Sequence, residues 1–251
     1  HYSYTKKTAT FNSVSKITGT TQNVYLNLTT ITHPTNAQSV YTYETAKRNL
    51  GKNGLMEVFR LSSRADQING QKVNLQSFSY SANDCSGYPV CKDPDRLPET
   101  FTYATTVSRQ DGLETTVTFN QKHLQTEAAV SSAAGTLQKT SYLYNKNKLP
   151  VRQTVQTYNG LTAFTSITAA EYDEKGRVTA SWLPQADGNT ADTEHVTRFT
   201  YDSTYGLVLS KTWKTDASTT VELQNTLDSA KKQIVRSEVY RNSTLVSRTD
   251  Y

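Results

Sequence analysis

Long apolar runs are missing from this chain of 251 residues. No stretch approaches the ~18 consecutive apolar residues that a membrane-spanning helix needs. No basic segment followed by an apolar one marks a signal peptide. Methionine occurs once and tryptophan twice, and hydrophobic residues reach only 35%. A body of this length with so few apolar residues has a thin core, or shares one with further chain. Charge of one sign is also scarce. The net charge is +5, spread as single Lys and Arg residues, and the longest basic run is Lys231-Lys232. That pattern describes a solvated positive face and argues against a nucleic-acid partner.

Cysteine is nearly absent as well: Cys85 and Cys91 are the two there are, in the segment CSGYPVC. In an oxidising compartment they form a candidate disulfide, favoured by the turn residues Gly87 and Pro89 between them; in a reducing one they are two free thiols. The four histidines, His1, His33, His123 and His195, lie far apart, and none has a second His at ligand spacing. There is no Gly-x-Ser-x-Gly elbow and no Walker or dinucleotide glycine pattern. The loop Asp187-Gly188-Asn189-Thr190-Ala191-Asp192 offers oxygen ligands, but it lacks the bidentate Glu and ligand alternation of an EF-hand and reads as a polar turn. Leu97-Pro98-Glu99-Thr100 matches the core of a sorting signal but has neither the following Gly nor a terminal hydrophobic tail. We therefore expect no catalytic residue, no metal site and no cofactor.

What is present is tyrosine and threonine. The 16 Tyr and about 40 Thr suit a pleated, half-buried surface and point to an all-β protein. The second half is periodic. Phe119, Tyr144, Tyr172, Tyr201, Leu227 and Tyr251 recur at spacings of 25, 28, 29, 26 and 24 residues. Each of the first five is followed by Asp or Asn and then by a polar turn. Alternation precedes the anchor, as in Val196-Arg198-Thr200 against Thr197-Phe199-Tyr201, which predicts a strand with one buried face. Asp173 opens a turn that Gly176 closes, and Arg177 starts the return strand. Pro184 ends that strand, since proline cannot donate to a ladder. In the next unit the turn starts at Asp202 and its glycine, Gly206, stands one position later; at Leu227-Asp228 the aromatic is replaced. Each unit is thus two strands of ~8 residues, and successive units stack edge to edge. Two stretches, Gln125 to Ala134 and Asp228 to Arg236, have helical propensity, but their register in the repeat favours strand.

Residues 1–95 form a divergent β-rich segment with longer loops, and residues 96–251 a repeat array truncated within a repeat. In the first part Val24–Thr29, Tyr41–Tyr43, Phe78–Tyr80 and, just beyond it, Phe101–Tyr103 read as strands. Asn53-Gly54 and Asn69-Gly70 are hairpin turns.

The segment YDEKGRVTASWLP, followed by Asp187-Gly188 and TRFTYD, resembles the YD-repeat, or Rhs-repeat, family of large bacterial secreted and cell-surface proteins. One full copy matches, through Tyr172, Asp173, Gly176, Arg177, Val178, Thr179, Pro184, Asp187, Gly188, Thr197, Phe199, Tyr201 and Asp202. Flanking copies match in part. The resemblance implies antiparallel β-hairpin repeats stacked into a curled sheet, part of a β-shell that in insecticidal toxin complexes encloses an effector. It implies that the repeats do no catalysis, that the aromatic packs on the neighbouring unit, and that Asp and Gly build the turn. It also implies an extracellular location. No self-cleaving cap is recognisable, and the chain starts at His1 and stops at Tyr251, where a new copy should begin. It is expected to be a section of a longer protein, without an effector of its own. Its expected partners are the remaining repeat chain, another copy of itself through open sheet edges, or an enclosed effector. The rival reading is an extracellular adhesin or filament-forming module using a Tyr-rich face. An outer-membrane barrel is set aside, because strands such as Lys211-Thr212-Trp213-Lys214 lack a continuous apolar face.

Overall fold

A computed structural model describes residues 1–12, 21–49, 55–81 and 98–251. Cys85, Cys91 and the Asn53-Gly54 turn lie outside the described residues. The chain is almost wholly strand. In order the strands are β1 (Tyr2–Asn12), β2 (Thr21–Thr32), β3 (Gln38–Asn49), β4 (Leu55–Ile68), β5 (Gln71–Tyr80), β6 (Thr102–Arg109), β7 (Glu114–Asn120), β8 (Gln125–Ser132) and β9 (Gly135–Tyr144). They continue as β10 (Pro150–Asn159), β11 (Thr162–Tyr172), β12 (Val178–Trp182), β13 (Val196–Tyr201), β14 (Val208–Lys214), β15 (Thr220–Leu227), β16 (Ile234–Arg241) and β17 (Thr244–Asp250). All 17 belong to one hydrogen-bonded sheet, and the registers are antiparallel throughout.

The chain divides into two compact units. One comprises His1–Lys139 with Tyr158–Thr162; the other comprises Thr140–Thr157 with Ala163–Tyr251. In the first unit the early strands are long: β2 and β3 have 12 residues each and β4 has 14. Asn69 and Gly70 both take positive φ, 50° and 79°, and close the tight turn from β4 to β5 as their sequence signals. Val24–Thr29, Tyr41–Tyr43 and Phe78–Tyr80 all fall within strands, and Thr102 and Tyr103 open β6.

Neither stretch with helical propensity is a helix: the first is strand over Gln125–Ser132, and the second is a turn over residues 228–233 before strand begins at Ile234. Gln125–Ser132 is laddered along β7, and Ile234–Arg241 along β15. Cross-strand pairing outweighs the weak local preference of Gln, Glu and Ala for helix.

The second unit holds the compact part of the core: Ala169, Ala180, Trp182, Ala186 and Val196. It exists because the connection between β12 and β13 folds back over one face of the sheet. Pro184, whose φ suits a helical first turn, opens a single 3-10 turn, Pro184–Ala186. Leu183 N–H then donates to the His195 carbonyl at 2.9 Å and closes the loop. The small Ala169 and Ala180 side chains leave space that the Trp182 ring fills, and the ring is 1% exposed. The indole N–H donates to the Asp192 carbonyl at 3.0 Å, so its polar atom is satisfied. A segment that reads as a polar turn is therefore the lid of the core.

Candidate functional site

The repeat turns are built on one plan. Asp173 Oδ1 accepts the N–H groups of Lys175 and Arg177, each at 2.9 Å. Asn145 does the same with Asn147 and Leu149, and Asn120 with Lys122 and Leu124. An Asp or Asn side chain thereby replaces backbone partners inside the turn. The backbone closes identically in all three: Asp173 N–H to Arg177 O, Asn145 N–H to Leu149 O, Asn120 N–H to Leu124 O. At Asp202 and Asp228 the loop is one residue longer, closing on Leu207 O and Gln233 O. The shifted position of Gly206 follows from that extra residue.

One residue of each turn must be left-handed. It is Gly176 in one and Gly206 in another, at φ 81° and 74°. In the others it is His123, Lys148 and Lys231, at φ 61°, 65° and 55°. The ladder register also shifts at the anchor: between Thr118 and Phe119, Glu171 and Tyr172, Thr200 and Tyr201, and Thr226 and Leu227.

A clasp joins consecutive hairpins at this end. The Tyr172 hydroxyl donates to the Pro150 carbonyl at 2.8 Å, and the Tyr201 hydroxyl to the Val178 carbonyl at 2.6 Å. Pro150 and Val178 are each the first residue of the return strand before the anchor. The third acceptor in the series is Val208, first residue of β14. There the anchor is Leu227 and has no hydroxyl, and the Asn225 side-chain amide donates to Val208 O at 2.9 Å instead. Ser237 Oγ in turn donates to Asn225 Oδ1 at 2.7 Å. Asn225 thus takes over the role of the missing tyrosine hydroxyl, and nothing in the repeat pattern marks it.

Arg177 ties two turns together. Its guanidinium bonds Asp173 Oδ2 at 2.6 and 2.7 Å, donates to the Asp202 carbonyl at 3.0 Å, and lies 4.6 Å over the Tyr201 ring. Lys175 Nζ donates to Ser203 O at 2.7 Å across the same gap. Asp202 is buried, accepts the N–H groups of Thr204 and Tyr205, and has Lys231 Nζ at 3.9 Å from the following turn. The N–H of Arg177 bonded to Asp173, and that of Tyr205 bonded to Asp202, are the chief causes holding both carboxyls below the usual carboxylate range. Burial pushes the Tyr201 phenol up.

In the 183–195 loop, Asp192 Oδ1 accepts the N–H groups of Glu194 and His195, and Oδ2 lies 3.0 Å from His195 Nδ1. The His195 contact, with these N–H groups, lowers the Asp192 carboxyl to about 2. Both of its oxygens thus serve the loop's own backbone and His195. Gly188, at φ 72°, is packed so closely that a Cβ there would stand 2.7 Å from Ile167 Cγ2. Among the described residues no group of three or more His, Cys, Asp and Glu side chains is arranged to hold a metal ion.

No family model matches this chain, and no curated protein matches it. Among solved structures, it is similar to chains in the crystal structures of TcdB2-TccC3 and of TcdB2-TccC3-Cdc42. Each aligns over 89% of this chain at 12% identity with a TM-score of 0.34. The chain spans 15% of the length of those chains.

Proposed function

We propose that this chain is a non-catalytic section of a YD-repeat β-wall, belonging to a larger secreted or cell-surface bacterial protein that encloses a toxin or effector. The carrying observation is the clasp, met at Pro150, Val178 and Val208, which spends the anchor side chains on joining hairpins. The turn carboxylates are spent in the same way: Asp173 is bonded to Arg177, and Asp202 to backbone N–H groups. A wall assembled this way covers the edge of each hairpin with the next. Its work is to keep an interior apart from solvent. The test is limited proteolysis of the complete protein from its source. A segment outside this wall that resists protease until the wall is opened by denaturant supports the reading; a segment cleaved equally fast in the native protein refutes it. A glycan-degradation screen bears on the non-catalytic part: turnover abolished by Asp173→Asn in a folded chain would contradict it.

A second reading, an adhesin or filament-forming module, draws on β17. It is laddered antiparallel on β16, all seven of its residues are exposed, and Leu245 and Val246 are among them. An edge of that kind accepts another strand by main-chain pairing. Concentration-dependent sedimentation that Val246→Pro abolishes would favour this reading over the wall.

A further inference from the structure

The second unit carries an open groove of about 500 Å³ beside the 183–195 loop, and its charges are not accounted for by the wall. Arg152 on β10 and Glu171 on β11 both line it, with Asn145, Leu143, Ala170 and Tyr172. Several arginines of the chain carry a carboxylate partner, as Arg177 does with Asp173, Arg236 with Asp250 and Arg109 with Asp111. The Arg152 and Glu171 side chains do not pair with each other, and neither side chain has a hydrogen-bond or ionic partner among the described residues. The Arg152 site is shaped by glycine: a Cβ at Gly188 would lie 3.1 Å from the guanidinium carbon and from Nη2. Asn145 spends its side-chain oxygen on the turn and leaves its amide nitrogen available.

We infer that this groove binds a small zwitterion, an α-amino acid with an apolar side chain. Two opposite charges held apart in one groove are complementary to a ligand carrying both. The guanidinium takes the carboxylate in a two-pronged hydrogen bond, and the Asn145 amide adds a donor. The Glu171 carboxylate accepts from the ammonium. Leu143, Ala170 and the Tyr172 ring supply apolar surface for the side chain, in a space of the size usual for small-ligand sites. The inference is independent of the wall reading.

The experiment titrates the chain with L-leucine, N-acetyl-L-leucine and L-leucinamide, followed by NMR shift changes at residues 143–152 and 169–190. Leucine binds saturably, and capping either end weakens binding at least tenfold. Arg152→Gln weakens leucine at least tenfold and leaves leucinamide unchanged, because leucinamide has no carboxylate to lose. Glu171→Gln weakens leucine to a similar degree and leaves N-acetyl-leucine unchanged. Glu171 is exposed, so that variant keeps its fold even where Arg152→Gln does not. Absence of saturable leucine binding, or a Glu171→Gln chain that binds leucine as the parent does, overturns the inference.

Discussion

Replacing Tyr201 separates the two jobs of a repeat anchor. Tyr201→Phe removes the 2.6 Å hydrogen bond to Val178 O and keeps the ring. A hydrogen bond of this kind contributes about 1 kcal/mol net. In a domain of this size that lowers the melting temperature by roughly 2–4 °C. Tyr201→Ala also removes the ring, which stacks on Phe199 at 6.5 Å and lies under Arg177 at 4.6 Å. An aromatic pair adds about 0.5–1.5 kcal/mol and a partly exposed cation–π contact about 0.5–1 kcal/mol. With the hydroxyl, the loss for alanine is roughly 2–3.5 kcal/mol, before any area term. The assay is urea unfolding followed by tryptophan fluorescence, since Trp182 and Trp213 sit in the same compact unit as Tyr201. An alanine variant that shifts stability by no more than the ~0.5 kcal/mol typical of a surface site refutes the anchor role.

Other substitutions test the parts that hold the anchors. Trp182→Ala empties the buried centre of the core and should cost about 3–5 kcal/mol by the same unfolding assay. Gly206→Ala should destabilise more than Gly176→Ala: both put alanine at positive φ, but a Cβ at 206 meets Arg177 Nη1 at 3.1 Å, whereas one at 176 meets Leu149 at 3.5 Å. Equal urea midpoints for the two would count against the Arg177 tie. Acid should loosen the loops. Asp192 and Asp216 are lowered to about 2, below the ~3.9 of an unfolded aspartate. A depressed folded pKa stabilises fully above about pH 4, and that contribution is lost as pH falls toward 2. Asp192→Asn should flatten part of this slope in the urea midpoint between pH 5 and pH 2.

The repeat turns were legible in the sequence because their chemistry is local. Asp173, Gly176 and the Asn after Phe119 or Tyr144 act within five residues of chain, so spacing alone exposes them. The left-handed residues at His123, Lys148 and Lys231 were not, because side chains other than glycine occupy that region when the turn over-determines it. Arg177 matched the family pattern, yet its tie to Asp202 spans 25 residues and depends on how two hairpins abut. Asn225 was invisible for a similar reason: it supplies an absent hydroxyl from two positions before the anchor. The 183–195 connection is polar by composition, and only tertiary packing against Ala169 and Ala180 turns it into the cover of Trp182. The alternating strand Val196–Tyr201 shows the consequence. Its two faces were readable, but not that Val196 would be buried by the loop while Arg198 and Thr200 on the same face stay exposed.

The most direct test of hairpins joined by a repeating clasp is a rescue. Asn225→Ala deletes the donor to Val208 O and the acceptor for Ser237, and should cost about 1–2 kcal/mol. Adding Leu227→Tyr restores a hydroxyl at the anchor position, and the clasp account expects the urea midpoint to recover about half of that loss. A double variant no more stable than Asn225→Ala alone would contradict it.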